Sequence, residues 1–270
     1  MIGGAFDALV CDLDGVVYRG DRVIEGAPDA LKRLAGEGVK VVFCTNNSRS
    51  TVDDYVKKLT GMGVDDVEPQ DVLTSGLVTA RVLRDRGYAG RRAIVVGGRG
   101  IVEALSAEGI ETDVDPASSK TDLVVVGWDP GFDYETLRRA SAAVRAGASL
   151  IATNADATFP GPDGLWPGAG AILAAIETAS GVRAEVMGKP NPPTMDAIEA
   201  LLDGRQRIAC IGDRPDTDLA GGVARGWTTI LVLSGVTTKE EVGAIDPPPD
   251  YVIDSIADLS RVRDGVAETQ

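Results

Sequence analysis

The feature that most restricts the fold of this chain is a short apolar, mostly β-branched run that keeps recurring. It appears at Ala8–Leu13, Val39–Cys44, Ala93–Val96, Leu123–Val126, Leu150–Ala152, Ile208–Ile211 and Thr229–Leu233. The runs are continuous rather than alternating, as in strands buried on both faces. Helical patterns lie between them. Ala27–Leu34 carries Pro28 in its first turn and Gly36 and Gly38 beyond its end, the usual start and stop signals. The others are Thr51–Leu59, Leu77–Arg86, Tyr134–Ala146, Ala169–Ala179, Pro193–Leu202 and Asp216–Ala224. Strand and helix in turn predict an α/β fold with a doubly wound, mostly parallel sheet. Gly15–Gly26 is different: Val16-Val17-Tyr18, then Gly20-Asp21, then Val23-Ile24 predicts a small β-hairpin after the first strand.

Composition narrows the chemistry. The 270 residues include no histidine. Ser-His-Asp and Cys-His mechanisms, His-based zinc sites and a His general base are therefore excluded. Acid/base work near neutral pH falls to carboxylates, lysine, tyrosine or a metal. With 27 Lys+Arg against 41 Asp+Glu, the net charge is −14. Such a surface does not suit a nucleic-acid partner, which needs a basic face. A small anionic substrate is not excluded, because a local site can be positive inside a negative field. No apolar run approaches the roughly 18 residues of a membrane span, and no leader pattern opens the chain. A cytoplasmic protein with no membrane partner is the expectation. Cys11, Cys44 and Cys210 are odd in number and far apart, so neither a disulfide framework nor a zinc knuckle is expected. Each falls in a predicted core strand and reads as small apolar packing.

Four constellations follow predicted strands or sit near them. In Asp12-Leu13-Asp14-Gly15, side chains two apart on a strand face the same way. The two carboxylates would repel unless a cation or a shared proton offsets them. A divalent metal, with one carboxylate also able to attack, is the economical reading; a plain strand-terminal turn is the alternative. Thr45-Asn46-Asn47-Ser48 offers a hydroxyl and amides to phosphate oxygens, or a helix cap for Thr51–Leu59. Gly188-Lys189-Pro190 holds a lysine that, alone, reads as a surface loop. In Gly212-Asp213-Arg214-Pro215-Asp216-Thr217-Asp218, Asp213 ends a strand, Asp218 enters the next helix and Asp216 is a candidate N-cap. Asp12, Thr45 and Asp213 all lie beyond the carboxyl ends of predicted strands, where open α/β sheets bind ligands.

Two other patterns fail. Val95-Val96-Gly97-Gly98-Arg99-Gly100 opens like a dinucleotide fingerprint, but Glu103 stands where the third glycine belongs. Cys44 and Arg49 are spaced one residue short for a cysteine-phosphatase loop. Trp128 and Trp166 fall in predicted loops and are candidates to line a substrate entrance; partial packing is the alternative.

In the order Asp-x-Asp, Thr-Asn-Asn, Gly-Lys-Pro, Gly-Asp-x-x-x-Thr-Asp, the sequence resembles the haloacid dehalogenase-like phosphatase superfamily. More narrowly, it resembles the NagD, 4-nitrophenylphosphatase and phosphoglycolate phosphatase group, which carries a large type-IIA C2 cap. The likeness spans nearly the whole chain. It includes D-L-D-G-V-V-Y-R-G from Asp12, P-G-x-G at Pro167–Gly170, A-S-G at Ala179–Gly181, G-K-P-N-P-P from Gly188 and L-V-L-S-G-V-T-T from Leu231.

The resemblance implies a Rossmann-like catalytic core, 1–80 plus 187–270, with an inserted α/β cap at 81–186. It implies hydrolysis of a small-molecule phosphate monoester through an aspartyl-phosphate. Asp12 would be the nucleophile and Asp14 the acid and base. Thr45, Asn46, Asn47 and Lys189 would bind the phosphate. Mg²⁺ would be held by Asp12, the Asp14 carbonyl and Asp213, with Asp218 behind them. Phosphoglycolate, glycerol phosphate, nucleotides and 4-nitrophenyl phosphate are the substrate types in view, and related caps often form homodimers. A phosphotransferase or mutase of the same superfamily, or a receiver-like phospho-switch, would share the nucleophile.

Overall fold

The protein is described from a computed structural model over residues 6–112, 121–161 and 164–263. The far ends of the expected core range, 1–5 and 264–270, lie outside the described residues. Along the chain the strands are β1 (Ala8–Cys11), β2 (Tyr18–Arg19), β3 (Arg22–Val23), β4 (Lys40–Thr45), β5 (Val72–Thr74), β6 (Ala93–Val96), β7 (Leu123–Val126), β8 (Ser149–Ala152), β9 (Thr158–Gly161), β10 (Gly164–Pro167), β11 (Glu185–Val186), β12 (Ile208–Gly212), β13 (Thr228–Val232) and β14 (Tyr251–Ile253). The helices are α1 (Ala27–Gly36), α2 (Val52–Gly61), α3 (Ser75–Asp85), α4 (Arg99–Ala107), α5 (Tyr134–Arg145), α6 (Ala169–Ser180), α7 (Pro192–Leu201), α8 (Ala220–Arg225) and α9 (Leu259–Arg263).

The chain divides into two compact units. The first comprises Met1–Thr45, Tyr55–Leu73 and Met195–Gln270; the second comprises Asn46–Asp54 and Thr74–Thr194. The second unit thus reaches beyond the expected insert at both ends. The cause is packing. Ala80 and Leu83 of α3 share a buried cluster with Ile101 and Leu105 of α4, and Met187 joins the same cluster.

The first unit is built on a six-stranded sheet in the order β14-β13-β12-β1-β4-β5. β1 is parallel to both neighbours, with Cys11 opposite Phe43 on β4 and Ile211 on β12. From β1 the chain steps outward to β4 and β5 on one side, and later to β12, β13 and β14 on the other. The order therefore reverses at the β1/β12 boundary, the kind of switch point at which a ligand crevice opens beyond the strand ends. All four residues of β1 are buried, as its unbroken apolar run predicts. The expected hairpin is present as β2 and β3, with Tyr18 opposite Val23.

The second unit has a four-stranded sheet, β11-β8-β7-β6, whose pairs are parallel. Alternate residues of β7 serve different layers. Val124 and Val126 pack with Ala140 and Val144 of α5 and with Ile172 and Ile176 of α6. Leu123 and Val125 pack with α3 and α4. Period-two geometry thus sends one strand's side chains to helices on both faces. An antiparallel β9–β10 hairpin precedes α6. Among the described residues no helix is long and apolar enough to cross a membrane.

Two local expectations change. The helix expected over Asp216–Ala224 is instead a wide π-type turn, Pro215–Leu219, leading into α8. Asp218 N–H reaches back to the Arg214 carbonyl at 2.8 Å, and the carboxylate turns toward the end of β12. Asp216 is exposed within this turn, whose N-cap residue is Arg214. The cap of α2 comes from Thr51 and Asp54, whose side chains accept each other's backbone N–H at 3.1 Å, a capping box. Thr45-Asn46-Asn47-Ser48 is thereby spared that task.

Candidate active site

In the first unit, Asp12 stands one residue beyond β1 and is 8% exposed. Asp213 stands one residue beyond β12 and Thr45 ends β4; both are almost fully buried. The parallel register puts these three chain positions side by side. Asp218 completes the group: ligand oxygens of Asp12, Asp213 and Asp218 all lie within 4.8 Å of one another. Asp14 is half-buried, and its side chain is not part of this trio.

The trio is held by its neighbours. One Asp218 oxygen accepts the N–H groups of Asp213 (3.2 Å) and Arg214 (3.0 Å). The Val236 N–H donates to an Asp213 carboxylate oxygen at 2.6 Å, and the Thr237 hydroxyl donates to the Asp213 carbonyl at 2.6 Å. Gly15 has φ +90° and, like Gly235, lies where an added Cβ would strike the Asp213 carboxylate. The Ser234 hydroxyl ties the Gly15 carbonyl at 2.6 Å. Sequence reasoning gave no role to Ser234–Thr237. Its signal was a Ser-Gly-x-Thr pattern just past the β13 run, at the same edge of the sheet.

Three buried carboxylates this close are stable only with compensating positive charge or protons. Their oxygens are hard donors of the kind Mg²⁺ and Ca²⁺ prefer. The residues present therefore fit a divalent cation.

Next to these carboxylates, Tyr18 is wholly buried. Burial first, and then the Asp14 charge, push its phenol well above the usual tyrosine range.

In the second unit, Lys189 is 4% exposed, and its backbone is gripped by Asn46. Asn46 Oδ1 accepts the Lys189 N–H at 2.8 Å, while Nδ2 donates to the Lys189 carbonyl at 3.1 Å and to Asp156 Oδ1 at 3.0 Å. The Asn46 carbonyl accepts from Asn154 Nδ2 (2.7 Å) and from the Ser75 hydroxyl (2.6 Å). An added Cβ at Gly188 would lie 2.6 Å from Asn46 Oδ1, so the glycine before the lysine allows this approach. The lysine is no loose surface residue; its buried backbone is fully engaged. Asn47 Oδ1 accepts the Arg49 N–H at 3.1 Å.

Residues 9–111 match the family model of haloacid dehalogenase-like hydrolases, and residues 186–259 match a second model described as HAD-hydrolase-like. An acid sugar phosphatase of Staphylococcus saprophyticus is 36% identical over 258 residues, covering 95% of this chain and 96% of the relative. The chain belongs to the haloacid dehalogenase-like hydrolases. Within that family, its fold is similar to a 4-nitrophenylphosphatase from Thermotoga maritima, with TM-score 0.86, 35% identity and 95% and 97% of the two chains covered. It is also similar to a glycerol phosphate phosphatase from Mycobacterium tuberculosis in complex with magnesium. There the TM-score is 0.88 and the identity 30%, with 99% of this chain and 81% of the other covered. These matches show the NagD-like phosphatase group inferred from the motifs, and the Rossmann-like core with an added cap domain.

Trp128 and Trp166 part company. Trp128 is 7% exposed and stacks on Phe159, with ring centroids 4.1 Å apart. Its indole N–H donates to the Pro167 carbonyl at 3.0 Å, and the Arg49 guanidinium lies 5.2 Å from its ring centre. It is chiefly a packed residue of the cap. Trp166 is 38% exposed on β10, against Gly161 of β9.

The failed dinucleotide fingerprint has a packing explanation. A Cβ at Gly98 or Gly100 would collide with the backbone of Arg49 or Ser50. The glycines let α4 meet the 49–50 loop.

Proposed function

We propose that this protein hydrolyses a small-molecule phosphate monoester in two displacements, through a phosphoryl group carried on Asp12. The observation that carries the reading is the convergence of Asp12, Asp213 and Asp218 at the β1/β12 switch point. Relatives that act as phosphatases, one of them in complex with magnesium, support it.

An Asp12 carboxylate oxygen attacks phosphorus, and the bond from phosphorus to the ester oxygen breaks. Asp14 supplies the proton that the departing alcohol needs. Asp14 then takes a proton from water, the water oxygen attacks phosphorus, and the bond to Asp12 breaks to release phosphate. Asp14 suits this double duty because it sits on the loop after β1, half-buried and outside the carboxylate trio. Thr45, the Asn46 N–H and Lys189 are the groups we assign to the nonbridging oxygens.

Asp12, Asp213 and the Asp14 carbonyl are the proposed ligands of Mg²⁺, with Asp218 setting the Asp213 backbone and contributing its charge. When bound, Mg²⁺ supplies the positive charge that lets one anion attack another. A cytoplasmic location accords with three cysteines that are buried thiols.

A phosphate-release screen over a panel of metabolite phosphates tests the reading, with Asp12→Asn as control. Release by the wild type that chelation stops and Mg²⁺ restores, and that Asp12→Asn lacks, is the expected result. Substantial turnover by Asp12→Asn would remove Asp12 as nucleophile.

A further inference from the structure

Two short segments of the first unit are joined by one side chain: the β2–β3 hairpin, which follows Asp14, and the loop that follows β13. Arg19 Nε donates to the Ser234 carbonyl, and a terminal guanidinium nitrogen donates to the Gly235 carbonyl at 2.9 Å. These contacts span 215 and 216 residues of chain. Arg19 has no part in the two displacements, yet it grips the loop that surrounds Asp213.

Both ends of this connection are pinned. Neighbouring residues of a strand face opposite ways, and in β2 Tyr18 is wholly buried while Arg19 is exposed. The Lys58 ammonium lies 3.6 Å from the centre of the Tyr18 ring, a cation–π contact. The Tyr18 carbonyl accepts the Gly15 N–H at 2.7 Å, and the Gly15 carbonyl accepts the Ser234 hydroxyl at 2.6 Å. Arg19 therefore leaves a fixed base. On the other side, the next two residues of the loop hold Asp213. The Val236 N–H donates to its carboxylate at 2.6 Å, and the Thr237 hydroxyl and N–H both reach its carbonyl, at 2.6 and 3.3 Å. Gly235 lies so close that an added Cβ would overlap the Asp213 carboxylate. A shift of Ser234 and Gly235 would move the very groups that aim this carboxylate.

We propose that Arg19 is a positioning residue for the divalent-cation site: its guanidinium latches the loop after β13 so that Val236 and Thr237 hold Asp213 ready for the ion. The proposal rests on the reading of Asp213 as a Mg²⁺ ligand. A guanidinium presents its donors in a rigid planar fork, so it sets two successive carbonyls in one arrangement that a rotating ammonium does not fix. Groups that orient a metal ligand govern affinity without touching the ion. The charge of Arg19 acts the other way, because a cation near the site repels a second cation. Latch and charge thus predict effects of opposite sign when Arg19 is replaced.

The test is isothermal titration of the full chain with Mg²⁺, with urea unfolding of the same preparations. Arg19→Met keeps the stem and removes both fork and charge; Arg19→Lys keeps the charge and removes the fork. Both should weaken Mg²⁺ binding about 10-fold, the lower end of the effects seen for partners behind a metal ligand. Ser234→Ala cuts the tie to Gly15 with Arg19 in place and should weaken binding in the same direction. It carries the test if an Arg19 variant does not fold. Unchanged affinity with a lower urea midpoint would overturn the proposal and leave Arg19 as a brace for the hairpin alone. Tighter binding by Arg19→Met, with Arg19→Lys unchanged, would overturn it too and assign Arg19 a purely electrostatic influence. A wild type that binds no Mg²⁺ would instead overturn the metal-site reading itself, and the proposal with it.

Discussion

Asn46 brackets Lys189: its side-chain amide accepts the lysine's N–H at 2.8 Å and donates to the lysine's carbonyl at 3.1 Å. The residues are 143 apart in sequence, yet one planar amide fixes both backbone groups of the other. A lysine held this way has a fixed backbone base, so in the phosphate-binding role proposed for it less freedom would be lost on binding.

Asn46→Ala leaves the buried Lys189 N–H and carbonyl without this partner and removes one hydrogen bond from Asp156. A stability loss of about 1–3 kcal/mol is expected from the stranded polar groups. A fall in kcat/KM of roughly 10–100-fold is expected from the loosened lysine. Denaturant unfolding and steady-state kinetics on one preparation check both. Asn46→Asp keeps an acceptor for the Lys189 N–H but sets a carboxylate beside Asp156, and should also lose activity.

Gly15→Ala brings two costs to one position. The residue has φ +90°, and its Cβ would occupy the place of the Asp213 carboxylate. Strain at such a position costs on the order of 1–3 kcal/mol. Displacing Asp213 should also raise the Mg²⁺ concentration needed for half-maximal activity by at least about 10-fold. Activity titrated with Mg²⁺ measures the second effect separately from melting temperature.

The strand-end residues and the partners of Asn46 show how far the sequence can be read. Asp12, Thr45 and Asp213 were legible because each closes a continuous apolar run, and strand ends of a parallel sheet are where ligands gather. Asn154, Asp156 and Ser75 were not. Their roles depend on Asn46, which lies 108, 110 and 29 residues away, and no local pattern announces such contacts. The β9–β10 hairpin was hidden by Pro160, Gly161, Gly164 and Pro167, residues that normally mark turns. The π-type turn after β12 was missed because capping residues there suggested an ordinary helix start, whereas the Asp218 carboxylate is bonded to the Asp213 and Arg214 amides.

Asp218→Asn should separate architecture from charge. Asparagine retains an oxygen for the Asp213 and Arg214 N–H groups, so the fold should persist. The trio loses one negative charge, and Mg²⁺ affinity should weaken by roughly 10–100-fold. Isothermal titration with Mg²⁺ checks this without reference to turnover. Unchanged affinity would assign Asp218 to the turn alone.

Arg99 hydrogen-bonds Asp54 at 2.5 Å and, together with the Thr51 N–H, holds its carboxyl down at about 2. A native value below the unfolded one means that the stabilisation is present above about pH 4. It is lost as pH falls toward 2. Asp54→Asn keeps the helix cap and removes the charge. Its urea midpoint should lie slightly below wild type at pH 7, by the small amount typical of an exposed pair. The difference should shrink with salt and close as pH approaches 2. A difference that persists at pH 2 would assign the effect to packing.

The stereochemical course at phosphorus tests the two-step transfer through Asp12 most directly. The substrate is a phosphate ester made chiral with oxygen isotopes, hydrolysed in isotopically labelled water. Two in-line displacements, first by Asp12 and then by water, give retention of configuration, and retention is the expected result. Inversion would mean that water attacks the ester in a single step and would contradict the nucleophilic role of Asp12.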